Sequence, residues 1–370
     1  MGARLQRSRV PQDPVGDTAD DSAAMSVRSP SLCGMQVAPL TLSETPPGAV
    51  TDAGNHAGNH AGNDAGTDIA AVPAGSASLS PSRASDFMSC PLLYRFRVVD
   101  KLPEAPSRAA VRGTVVHSVL ERLFDLPALE RTPERAAQLL GPAWDDLRET
   151  EPKLAEMFAA AEDGGAAGAG DTASADDNLA AWLEQCQSLL RRYFTLEDPR
   201  RLEPAEREVY VETLLESGLQ LRGYIDRLDV APTGEVRIVD YKTGKAPGEH
   251  FEAKALFQMK FYALVLWRTR GVVPRMLQLV YLGSGEVLRY HPEERELRAT
   301  ERKVEALWAA IRRASETGEW RPNRSALCGW CDHQAICPAW GGTPPPLPTH
   351  DPAAAVETEV PRTGLHDPGA

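Results

Sequence analysis

Residues 219–243 read LQLRGYIDRLDV, APTGE, VRIVDYKT: two runs of alternating apolar and polar side chains joined by a Pro/Gly turn. That period of two is the mark of a β-hairpin rather than a helix. Centring the turn on Thr233 makes opposed positions sum to 466. Val230 then faces Val236, Leu228 faces Ile238, Asp226 faces Asp240 and Tyr224 faces Lys242, all eight on one face. Two apolar pairs near the turn lead to a carboxylate pair and a lysine, with opposed Cβ atoms about 5 Å apart. Carboxylates that close repel each other unless a cation sits between them. A hard divalent ion such as Mg²⁺ or Mn²⁺ takes oxygen ligands and reverses the sign of that interaction. Lys242 points the same way as Asp240 and could orient a water or stabilise charge building on a phosphate oxygen. The plainer alternative is a solvated strand end where Asp240 and Lys242 pair on the surface. D-x-K alone is common; Asp226 in facing register sets this instance apart.

Outward from the hairpin, patterned sequence runs continuously over about residues 79–340. Residues 80–96 (SPSRASDFMSCPLLYRF) open with a Ser/Pro start signal and helix-compatible spacing. Residues 112–126 form an amphipathic helix with Val115, Val116, Val119, Leu120 and Leu123 on one stripe, and residues 179–194 form a second. Between them, 162–178 is an acidic Gly/Ala loop. REVYVET (207–213) is a further strand. After the hairpin come a helix over about 253–268, strands at 276–282 and 287–290, and a helix over about 294–316. This order implies one α/β domain with a mixed sheet.

Other residues carry chemistry of their own. His117 lies at the edge of its helix stripe, one turn after Gly113, where it is either a boundary histidine or a nitrogen ligand for the same ion. Gln258 and Tyr262 stand at i and i+4, flanking the core stripe or hydrogen-bonding the lysine or a phosphate. Cys328-x₂-Cys331-x₅-Cys337 is a knuckle of the kind that holds zinc, iron–sulfur or redox chemistry. Cys90, in Ser-Cys-Pro, is the natural fourth thiol. Joining it to 328–337 would clip the two ends of the folded region together. Cys186 sits in an apolar stripe and reads as plain core.

The ends differ in kind. Residues 1–78 and 341–370 are rich in Pro, Gly, Ala and Asp, and include the repeat AGNH-AGNH-AGND-AGTD; they read as disordered low-complexity tails. Much of the formal charge of −12 lies there. No apolar run reaches the roughly 18–20 residues of a membrane span, and the N-terminus lacks a secretory h-region. With 6 cysteines and no such leader, the expectation is a cytoplasmic protein with reduced thiols. There is no G-x₄-G-K-[ST] phosphate loop, so the chain has no motor of its own.

The order Cys90, RGTVVH ending in His117, GYID with Asp226, Asp240-Tyr241-Lys242, QMKFY and C-x₂-C-x₅-C resembles the RecB-family exonucleases of the PD-(D/E)xK nuclease superfamily. It is most similar to their iron–sulfur branch, which includes the Cas4 and AddB nuclease domains. The resemblance implies a restriction-endonuclease-like fold, a mixed central sheet flanked by helices with a C-terminal cysteine-ligated cluster segment. By position it implies that His117, Asp226, Asp240 and the Tyr241 carbonyl hold Mg²⁺ or Mn²⁺, and that Lys242 is the catalytic lysine, with Gln258 and Tyr262 in the motif after it. Cys90, Cys328, Cys331 and Cys337 match the ligands of a [4Fe–4S] cluster, with Zn²⁺ the alternative. The implied activity is metal-dependent exonuclease action on DNA, at single-stranded ends, in repair or recombination, with any helicase a separate polypeptide. The alternative is a subunit that binds or scaffolds DNA ends without cutting. Arg83, Arg95, Arg97, Arg108 and Arg112 are candidates for the wall of a DNA groove.

Overall fold

The computed structural model describes residues 5–9, 77–158, 175–248 and 252–348. Seven strands form one mixed sheet: β1 (Gln6–Arg9), β2 (Ser78–Leu79), β3 (Glu206–Leu214), β4 (Gln220–Val230), β5 (Val236–Lys242), β6 (Met276–Tyr281) and β7 (Glu286–Tyr290). Their order is β1-β7-β6-β5-β4-β2, with β3 also paired to β4. The helices are α1 (Pro81–Ser89), α2 (Pro91–Tyr94), α3 (Arg108–Leu123), α4 (Pro133–Gln138), α5 (Leu140–Thr150), α6 (Ala175–Leu196), α7 (Glu252–Arg270) and α8 (Glu294–Thr317).

The sheet has an apolar layer on each face, as a mixed sheet flanked by helices requires. On one side Leu221, Ile225, Leu228, Ile238, Leu277 and Leu279 pack with residues of α1, α7 and α8. On the other, Val239, Tyr241 and Val280 pack with α3 to α6, and Cys186 is fully buried there as core. Among the described residues no helix is long and apolar enough to cross a membrane.

The turn centred on Thr233 sets the register as read: Leu228 pairs with Ile238 and Val230 with Val236. The ladder then stops at Arg227↔Val239, three pairs short of the expected Tyr224–Lys242. Beyond that point β5 stays with β6 through Lys242↔Tyr281, while β4 turns away to β3 and β2. Asp226 and Asp240 are therefore not ladder partners. Two central strands part between them, as strands gripped by different neighbours must.

Three other expectations are corrected. The helix-compatible stretch 80–96 is broken at Cys90, whose φ of −161° and ψ of 111° are extended. Pro91 restricts the residue before it to that region and starts α2 at its own first position. Within the stretches read as tails, Gln6–Arg9 pairs antiparallel with β7, and Pro345 accepts a hydrogen bond from Arg95. The rest of the N-terminal tail and residues 159–174, most of the acidic Gly/Ala loop, lie outside the described residues. Arg95 itself is buried against Asp100, which removes it from any groove wall.

Candidate active site

The site forms where β4 and β5 part. Asp226 fills the gap: its Oδ2 accepts the Tyr241 backbone N–H at 2.6 Å, taking the place of the missing ladder bond. Both Asp226 and Asp240 are buried, at 4% and 2% exposure. From α3, the His117 Nε2–H donates to the Tyr241 carbonyl at 2.9 Å. Its other nitrogen lies 3.5 Å from Asp226 Oδ2. Gly113, one turn earlier on α3, faces the end of β5: a Cβ there would stand 3.6 Å from Thr243 Oγ1, an ordinary contact.

Lys242 is held on the opposite flank. Its Nζ lies 3.0 Å from Asp240 Oδ2 and donates to Gln258 Oε1, also at 3.0 Å. The Gln258 amide donates to the Tyr262 hydroxyl at 3.3 Å, so the i and i+4 residues of α7 act as one bracket behind the lysine. Burial and the Asp240 carboxylate push the Tyr262 phenol well up, so it stays protonated. Tyr262 reaches the site because Gly223 has no Cβ; one built there would meet its ring at 2.7 Å.

The structure adds one residue that the sequence reading missed. Glu208 on β3 joins His117 and Asp226 in a group whose ligand atoms all lie within 4.8 Å of one another. Its φ is +42°, in the left-handed region that side chains avoid. Such a backbone costs about 1–3 kcal/mol and persists where its surroundings enforce it. The twist reverses the strand's faces: Arg207 donates to Glu121 of α3, while Val209 packs on the α1/α7 side. A signal for Glu208 was present. Centring the next turn on Ser217, beside Gly218, makes opposed residues sum to 434 and sets Glu208 across from Asp226.

Electrostatically the cluster is an anionic pocket with few cations. Burial favours a neutral His117, but the carboxylates of Asp226, Glu208 and Asp240 outweigh it and raise its pKa to about 9. The imidazolium partly compensates the acids. Once a bound cation displaces the His117 proton, one imidazole nitrogen joins carboxylate oxygens and a backbone carbonyl in a mainly oxygen donor set of the kind that suits Mg²⁺ or Mn²⁺.

The four thiols form a second cluster. Cys90, Cys328, Cys331 and Cys337 line one pocket with Leu92 and Trp340. Burial pushes the Cys331 thiol up, and the other three sulfurs add to the effect. Stacking of Tyr94 on Trp320, with ring centroids 5.9 Å apart, brings the C-terminal segment back to Cys90. The two clusters lie at opposite ends of α1. Pro81 opens it beside Gly223, Cys90 follows its last residue, and nine residues span about 14 Å.

Comparison with known proteins agrees with this architecture. Residues 78–338 match the family model of the PD-(D/E)XK nuclease superfamily. The chain belongs to that superfamily. It is 27% identical over 201 residues to the gene 69 protein of Mycobacterium phage D29, covering 52% of this chain and 70% of the phage protein. With the gene 69 protein of Mycobacterium phage L5 it shares 28% identity over 126 residues, 33% of this chain and 41% of that one. A crystal structure of a candidate exonuclease from Eubacterium rectale aligns at a TM-score of 0.43 and 14% identity, covering 73% of this chain and 93% of that chain. As a superfamily member the chain is a nuclease, and nucleases of this superfamily use divalent metals and act on DNA.

Proposed function

We propose that residues 79–340 form a deoxyribonuclease domain that acts as an exonuclease on single-stranded DNA ends, in repair or recombination. The observation that carries this is the convergence of Glu208, Asp226 and His117 at a strand fork, with Asp240 near enough to act on the His117 charge and Lys242 held between Asp240 and Gln258. His117, Glu208, Asp226, Asp240 and the Tyr241 carbonyl would hold Mg²⁺ or Mn²⁺. When bound, such an ion polarises a phosphoryl oxygen and lowers the pKa of a ligated water. Lys242 does the positioning. An ammonium has three N–H donors; Asp240 and Gln258 take two, and the third reaches a water or a phosphate oxygen. Gln258, anchored by Tyr262, fixes which way that donor points, so little reorganisation remains for the reaction. His117 braces the Tyr241 carbonyl through its Nε2–H.

The thiol pocket supports assignment to the RecB-like iron–sulfur branch. Four thiols on one pocket match the ligand count of a [4Fe–4S] cluster, and tetrahedral zinc is the alternative. Anaerobic protein is expected to be brown, with a shoulder near about 400 nm; colourless protein with stoichiometric zinc would contradict this.

The nuclease reading is tested with end-labelled single-stranded DNA and Mg²⁺ or Mn²⁺. Wild type should shorten the strand from its end. Asp240→Ala and Lys242→Ala should each lose more than about a hundredfold in rate, the lower range for removing one electrostatic group from such a site. DNA binding without cleavage under either metal would favour a non-cutting end-binding subunit, one that leaves processing to a partner carrying its own helicase.

A further inference from the structure

We propose that Tyr210 and Tyr224 form a base-stacking platform that seats one nucleotide of the substrate strand beside the acidic cluster. The inference rests on the nuclease reading above and adds to it a site for the base. Tyr210 and Tyr224 are Cα partners across β3 and β4, with ring centroids 5.3 Å apart at 57°. Each stands two residues from an acid of the cluster: Tyr210 from Glu208, Tyr224 from Asp226. At about 3.4 Å per residue the platform lies about 7 Å along the strands from those carboxylates. That distance suits a phosphate at the cluster and the attached base on the ring.

Facing follows from the neighbours. Val209, Val211, Leu221 and Ile225 pack in the layer shared with α1 and α7. Alternation turns Tyr210 and Tyr224 to the other side, the side from which His117 approaches Glu208 and Asp226. Tyr210 is 43% exposed, yet it is not loose. Its hydroxyl donates to Glu212 Oε2 at 2.8 Å, and Gln220 donates to the same oxygen at 2.7 Å. A ring whose edge is pinned while its face stays open has little entropy left to lose on binding, and aromatic planes accept any base. Arg222, the cross-strand partner of Glu212, puts a cation beside the Tyr210 hydroxyl and helps to pin the ring's edge. The structural alternative is an aromatic pair that merely stabilises the hairpin. That role would not depend on whether the bound strand carries bases.

The experiment uses full-length wild type, Tyr210→Ala and Tyr210→Phe, with fluorescein-labelled oligo(dT) and an abasic strand of equal length. Binding is read by anisotropy in Ca²⁺, and the Mn²⁺ concentration for half-maximal cleavage is measured in parallel. Tyr210→Ala should weaken oligo(dT) binding by about fivefold or more, the lower bound for one stacked base, while Tyr210→Phe keeps most of it. On the abasic strand all three proteins should bind alike, and the Mn²⁺ requirement of Tyr210→Ala should match wild type. The platform is overturned if Tyr210→Ala binds oligo(dT) as wild type does, or loses as much on the abasic strand. Wild type that neither binds nor cuts any strand would undo the nuclease reading itself, an outcome visible without the variants.

Discussion

Among the described residues Arg227 heads the fully buried side chains by size, at 1% exposure, and it follows Asp226 directly in the chain. Its guanidinium donates to both Glu197 oxygens, at 2.8 and 3.0 Å, and to the Tyr241 hydroxyl, and it lies over the Phe124 and Tyr241 rings. Since Asp226 precedes Arg227 and Tyr241 lies between Asp240 and Lys242, this network holds the two strands just where they part. Burial opposes ionisation of Glu197, but Arg227 outweighs it and lowers its pKa below the ordinary 4.5. A depressed folded-state pKa gives stability that is fully present above the ordinary value and lost as the pH falls through the folded one. Glu197→Gln should therefore cost about 3 kcal/mol at pH 7, because a buried guanidinium loses its main charge partner. The penalty should shrink below about pH 4, as urea melts of both proteins at several pH values would show. An equal penalty at all pH values would mean that Glu197 acts by shape alone. The chain places Arg227 next to Asp226, but nothing local in the sequence names Glu197 at the end of α6 as its partner.

At the scale of elements, the hairpin and its register were legible because a Pro/Gly turn and strict alternation leave one good pairing. Where the ladder ends was not legible. It depends on β6 capturing the end of β5, which is a contact between distant segments. That capture is tight: Leu282 N–H donates to the Lys242 carbonyl at 2.7 Å, and Gly283 N–H to the Gly244 carbonyl at 2.9 Å. A Cβ on Gly283 would stand 2.3 Å from the Gly244 oxygen, backbone that has no rotamer to yield. Gly283→Ala should destabilise the protein by about 1–3 kcal/mol in urea melts and lower cleavage further by displacing Lys242. Wild-type stability and rate would show that the end of β5 is held by other means. Glu208 differs: the turn beside Gly218 gave its register, while its left-handed backbone has no signal in its neighbours in sequence.

Across the whole molecule, composition marked a patterned region over about 79–340, and the superfamily match covers residues 78–338. The structure then showed short pieces of both flanks in use. Arg7 and Arg9 on β1 pair with Glu286 of β7, and Arg7 also reaches Glu252 at the start of α7. Composition alone could not find β1, because its partner lies some 280 residues away. The molecule thus combines a net acidic charge with buried carboxylates gathered at one fork, where the proposed divalent ion would add to the charge of His117 and Lys242. Manganese titration followed by electron paramagnetic resonance tests that claim most directly. Wild type should bind Mn²⁺ at the cluster, and Asp226→Asn should weaken the site by at least about tenfold, roughly 1.4 kcal/mol. Asp226→Asn that stays folded and binds Mn²⁺ as tightly as wild type would contradict the account.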